Sequence, residues 1–244
     1  GQVSNTQGQI GYMSGSTGVA TVTGAGSKWT NVDGICVGSY GGSGTLNIMA
    51  GGKVSNTVGS IGAISGASGV ATVSGAGSQW TNCGELHVSY QGTGTLHIEA
   101  GGNVTNTYGY LGYWEGYTGV ATVTGNGSTW TNSGALNVGY GGSATLDIEA
   151  GGMVSNTDGY LGYSSGSTGT ATVTGAGSTW TSSGDLCVGL YGTGTLTVVN
   201  GGTVNAQTLW AAGSNLRGNG IINVKGLVSD LDMVFDAMHG THQV

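Results

Sequence analysis

Glu99, Asp147 and Glu149 are the carboxylates whose spacing comes nearest to a catalytic pattern. They lie in two alternating segments, Thr95-Leu96-His97-Ile98-Glu99 and Thr145-Leu146-Asp147-Ile148-Glu149, at matching positions fifty residues apart. If those segments are strands two layers apart in one stack, Glu99 and Glu149 stand roughly 9–10 Å from each other, near the upper limit for the carboxylate pair of an inverting glycosidase. No basic residue or further acid is placed to drive their pKa values apart, so solvated surface acids are expected and no catalytic residue is assigned. Asp230, Asp232 and Asp236 resemble a calcium site only loosely, because the Gly and closing Glu of a dedicated loop are missing. His87 and His97 read as lone outward histidines on different strands rather than a ligand cluster. No metal and no cofactor is expected.

The third and fourth copies of an internal repeat gather aromatic residues near one corner, at Tyr108, Tyr110, Tyr113, Trp114, Tyr117, Tyr160 and Tyr163. Earlier copies hold Gln9, Met13, Ser60, Ala63 and Ile64 at several of these positions. Such rings either cover one another as loop residues or contact a sugar or a protein, since Tyr and Trp join an apolar face to a hydrogen-bonding tip.

The elements that must position these residues are set by the repeat itself. Trp29, Trp80, Trp130 and Trp180 recur at spacings of 51, 50 and 50 residues, each opening a Trp-Thr-Asn or Trp-Thr-Ser triplet. Midway come Val3-Ser4-Asn5, Val54-Ser55-Asn56, Val104-Thr105-Asn106 and Val154-Ser155-Asn156, so each repeat is two similar halves of 24 to 26 residues. Each half carries that triplet, then an apolar pair ending at Gly (Ile35-Cys36-Val37-Gly38), then an alternating run such as Thr45-Leu46-Asn47-Ile48. Period-2 alternation broken by Gly, Ser and Asn, returning at a fixed length, predicts stacked coils of three short strands, a right-handed parallel β-helix with about 25 residues per coil. Residues 1–205 form about four double-coil repeats, and 206–244 are a divergent terminal coil, cap or junction, in which Asp230 to Asp236 alternate with apolar residues.

Two positional patterns support stacking. Asn5, Asn31, Asn56, Asn82, Asn106, Asn132 and Asn156 follow the first strand of successive coils, where their amides can bond one another as a structural ladder. Ala20, Ala71, Ala121 and Ala171 alternate with Leu46, Leu96, Leu146 and Leu196, and Trp alternates with Val, so large and small residues fill one core and the four repeat tryptophans are expected inside.

Composition narrows the function classes. The 244 residues include 54 Gly and no Pro, only 6% are charged, and 37% are hydrophobic, enough to build an ordered core. Lys28, Lys53, Arg217 and Lys225 are the basic residues against 11 acids, too few to neutralise a nucleic-acid backbone, and no run is long and apolar enough to insert into a membrane. Cys36 and Cys187 share a repeat position three repeats apart and Cys83 occupies another, so isolated thiols are expected. The opening Gly1-Gln2-Val3, with no initiator Met, is read as part of a longer processed precursor.

The motifs Val-Thr-Gly-Ala-Gly-Ser-Lys-Trp-Thr-Asn (22–31), Val-Gly-Tyr-Gly-Gly-Ser-Ala-Thr-Leu-Asp-Ile (138–148) and Gly-Gly-Met-Val-Ser-Asn-Thr (151–157) resemble the repeats of type V secretion (autotransporter) passengers and of exported bacterial proteins with a PEP-type sorting signal. The resemblance covers residues 1 to about 205. It implies a non-enzymatic Gram-negative surface protein, extracellular or held at the outer membrane, acting in adhesion, self-association or a biofilm matrix. Its partners would be further copies of itself or host and matrix glycans. Two alternatives remain open, a head-to-tail filament subunit and a carbohydrate-binding or carbohydrate-active β-helix.

Overall fold

The computed structural model describes residues 1–229; the acid-alternating stretch with Asp230, Asp232 and Asp236 lies outside them. Eight full coils, each of three strands, are followed by a modified ninth and the first strand of a tenth. The first coil is Gln2–Asn5, Gly8–Ile10 and Thr17–Thr23, and the second is Lys28–Asn31, Gly34–Val37 and Ser43–Met49. Coils three to ten open at Lys53, Gln79, Asn103, Thr129, Met153, Thr179, Thr203 and Ile221. Every strand pairs in parallel with its counterparts in the neighbouring coils, so three faces run along the rod, the third being a nine-stranded sheet. The molecule is an all-β parallel β-solenoid.

The register explains the sequence alternation. Trp80 lies between Val54 and Val104, and Leu96 between Ala71 and Ala121. Each bulky side chain therefore fills space that small neighbours leave, and the period-2 pattern keeps that set facing inward. Trp80, Trp130 and Trp180 are fully buried. Trp29, expected inside with them, is only half-buried, because its ring leans into coil 1, which has a neighbour on one side only in this chain. Val3 of that coil is 58% exposed.

A glycine answers each tryptophan. At Gly59 a Cβ would come within 3.0 Å of the Trp80 ring and 2.9 Å of Leu86 Cδ1, and Gly109 meets Trp130 and Leu136 in the same way. The second strand of each odd coil thus surrenders a side chain so that the next coil can press its indole into the vacated volume.

The asparagine ladder is present, with a break at alternate rungs. Asn5 Nδ2 donates to Asn31 Oδ1 (2.6 Å), Asn56 to Asn82 (2.5 Å), Asn106 to Asn132 (2.5 Å) and Asn156 to Ser182 Oγ (2.8 Å). The oxygen of each odd-coil amide accepts the indole N–H of the following tryptophan, as in Trp80 to Asn56 and Trp130 to Asn106, both 2.7 Å. That oxygen bonds the indole and not the preceding amide. Asn31 and Asn82 leave Nδ2 without a hydrogen-bond partner, and Asn132 turns instead to the Ser155 carbonyl at 3.3 Å. The bonding unit is the fifty-residue double coil.

In coil 9 the ladder position becomes Ala206, and Thr203–Ala211 runs as one nine-residue strand through what had been a corner. Ile221–Val228 repeats this, with Val224 in register with Ala206. With Ala206 and Val224 offering no polar side chain at the bend, the chain stays extended, and a short 3₁₀ turn, Gly213–Asn215, precedes a two-residue third strand, Leu216–Arg217.

Candidate functional site: an aromatic corner

The outward positions of the second strand put His87, Tyr110, Asn137, Tyr160 and Cys187 in one column along the rod. Next to it, the corner after that strand carries Tyr90, Tyr113, Tyr140 and Tyr163. The corner needs a positive φ, supplied by Gly112 (φ +60°), where a Cβ would meet the Ser143 carbonyl at 2.2 Å. In coil 4 the same position is Ser89 (φ 70°), whose hydroxyl bonds the Gly92 carbonyl at 2.6 Å and holds the turn that presents Tyr90.

The corner rings stack coil upon coil. Centroids are 4.9 Å apart for Tyr90–Tyr113 and Tyr113–Tyr140 and 5.0 Å for Tyr140–Tyr163, with the last two pairs within 23° and 15° of parallel. Tyr110 and Tyr160 meet them edge-on at 5.3 Å, and Tyr191 closes the row at 6.3 Å. Trp114 stands at 5.6 Å from Tyr113, edge to face. Tyr12 and Tyr40 form a separate pair, cut off because coil 3 carries Ala63 at the corner.

The sequence-predicted contact residues divide accordingly. Tyr110, Tyr113, Trp114, Tyr160 and Tyr163 join this array. Tyr108 is 43% exposed and packs toward Gly134, while Tyr117 reaches back two coils to donate to Ser65 Oγ at 3.3 Å. Tyr90, Tyr140, Tyr191 and His87 belong to the array and were not anticipated. Aligning Val88-Ser89-Tyr90 and Val138-Gly139-Tyr140 with Leu111-Gly112-Tyr113 across half-repeats would have found the first two.

His87 keeps the outward orientation expected of it but is not the lone histidine that was expected. It points outward from the core yet is 5% exposed, stacked on Tyr110 at 5.1 Å and 11° and flanked by Tyr90 and Tyr113. Its Nε2 lies 2.9 Å from Glu85 Oε2, and Nδ1 is buried without a partner. Burial pulls its pKa below the ordinary histidine value, partly offset by the Glu85 carboxylate. Burial, with help from Glu85, pushes the Tyr110 phenol up to about 12. Burial, Asp185 and Asp158 push the Cys187 thiol up to about 11, which disfavours its thiolate.

The carboxylates considered for catalysis lie on the third face. Glu99 and Glu149 are separated in register by Thr124, and His97 and Asp147 by Thr122. Asp147 is half-buried, which raises its pKa, while a hydrogen bond with Thr172 opposes the shift. Among the described residues no three His, Cys, Asp or Glu side chains converge as a metal site.

No family model and no curated protein matches the chain. Among solved structures it is similar to the crystal structure of the TibC-catalysed hyper-glycosylated fragment 55–350 of TibA, at 18% identity over 95% of this chain and 98% of that one, with a TM-score of 0.31.

Proposed function

We propose that this chain is a non-catalytic adhesive module of an exported bacterial surface protein, a rod that engages its partner through a lateral face. The observation that supports this most directly is the aromatic row running along coils 4 to 8, with Trp114 46% and Tyr191 72% exposed on a scaffold of uniform coils. A row of contacts fixed at the coil spacing suits an extended partner, because modest contacts made together multiply in effect. The repeat motifs that resemble exported surface proteins support a location outside the cell. The partner is another copy, a glycan or a protein of the surroundings.

Beads carrying the chain provide the test, scored for clumping with one another and for retention on glycan-coated and protein-coated glass. Retention or clumping that falls several-fold in a Trp114→Ala/Tyr191→Ala double variant is the expected result. Adhesion that is absent, or indifferent to both substitutions, would overturn the reading.

A further inference from the structure

We propose that the aromatic corner is a docking surface for a basic polypeptide, gripped by Trp114 and Tyr191 and by the carboxylates of Glu85, Asp158 and Asp185. This rests on the adhesive reading and names its partner chemistry.

Ring orientation comes first. Tyr113, Tyr140 and Tyr163 spend their faces on one another, at 4.9 and 5.0 Å and nearly parallel, so they offer edges to a ligand. A sugar ring that stacks through its C–H face finds no continuous platform there. The more open rings of this array are Trp114 and Tyr191, at coils 5 and 8, so they stand about 14 Å apart along the rod at the usual strand spacing. Four residues of extended peptide span about the same distance.

Charge comes second. Glu85 reaches the array directly, with Oε2 2.9 Å from His87 Nε2, and Asp158 and Asp185 stand two residues before Tyr160 and Cys187 in adjacent coils, Asp158 Oδ1 accepting the Asp185 backbone N–H at 2.9 Å. Among the described residues the ion pair on this face is Glu85 with His87, whose imidazole is held toward its neutral form. Lys28 and Lys53 open coils 2 and 3 on the first face, and Arg217 sits in the short third-face strand of coil 9. The formal net charge of −7 favours a cationic partner over a second copy at this face, and guanidinium groups meet both carboxylates and aromatic faces.

Fluorescence anisotropy of a labelled Gly/Ser peptide bearing two arginines four residues apart, titrated with the full chain, tests this. Saturable binding is expected, stronger than for a peptide with adjacent arginines and absent when glutamine replaces both. Trp114→Ala and Tyr191→Ala should each weaken it about two- to fivefold, the range for exposed cation–π contacts. Asp158→Asn with Asp185→Asn should also weaken it, while Glu99→Gln with Glu149→Gln, the same charge change on the third face, should not.

Equal weakening by the two charge pairs would reduce the effect to net charge and overturn the proposal. So would displacement of the peptide by a neutral oligosaccharide, or equal binding of the glutamine peptide. Beads that adhere through Trp114 and Tyr191 while the peptide fails to bind would sink this inference alone; beads that do not adhere at all would sink the adhesive reading beneath it.

Discussion

At His87, burial beneath Tyr90, Tyr110 and Tyr113 disfavours the imidazolium, so the unfolded chain takes up a proton at higher pH than the folded one. The linked stability is complete above the ordinary histidine pKa of about 6.5 and is lost as pH falls below it toward the folded value. The chain should therefore unfold at lower urea concentration at pH 5 than at pH 7, and His87→Phe should shrink that difference. Urea midpoints of both proteins at both pH values provide the check; an unchanged difference would mean that His87 titrates alike in both states. The sequence placed this side chain on the right face of its strand. Its burial was not legible, because the rings that cover it arrive from its own corner and from the next coil.

At the scale of the strand and its corner, the Trp–Asn bond does what neither residue does alone. Trp130→Phe keeps most of the apolar volume but removes the donor to Asn106 Oδ1, leaving a buried acceptor unpaired. A loss of about 1–3 kcal/mol is expected in denaturant unfolding, with little change in circular dichroism. A loss near zero would mean that Asn106 finds another donor. The period, the three strands and the Ala/Leu and Val/Trp alternation could all be read from residue spacing, since each depends on side-chain size and polarity at fixed intervals. The broken ladder could not, because seven recurring asparagines do not disclose which atom an indole engages. The aromatic corner was half legible for a related reason. Tyr110 and Tyr160 repeat at fifty residues, whereas Tyr90 and Tyr140 join them only when odd and even half-repeats are superposed.

Across the whole molecule, each coil rests on its two neighbours, so the rod tolerates changes in length that keep those neighbours matched. Excising residues 53–102, one double coil, brings Trp29 against Val104 and preserves the alternation. Excising 79–102, a single coil, sets Val54 against Val104 and Ala71 against Ala121, leaving the volumes of Trp80 and Leu96 empty. The first deletion should melt as one cooperative unit close to the parent. The second should lose several kcal/mol, roughly the cost of large-to-small core changes. Thermal melts followed by circular dichroism distinguish them, and equal melting would show that the coils are interchangeable.

The indole that claims the oxygen of the preceding amide also gives the rod a grain. Lengthening or shortening by pairs of coils keeps that bond and the core alternation matched, in steps of about 10 Å. Trp114 and Tyr191, three coils apart, fall outside that step, so the handholds offered to a partner vary coil by coil on a core that repeats in pairs.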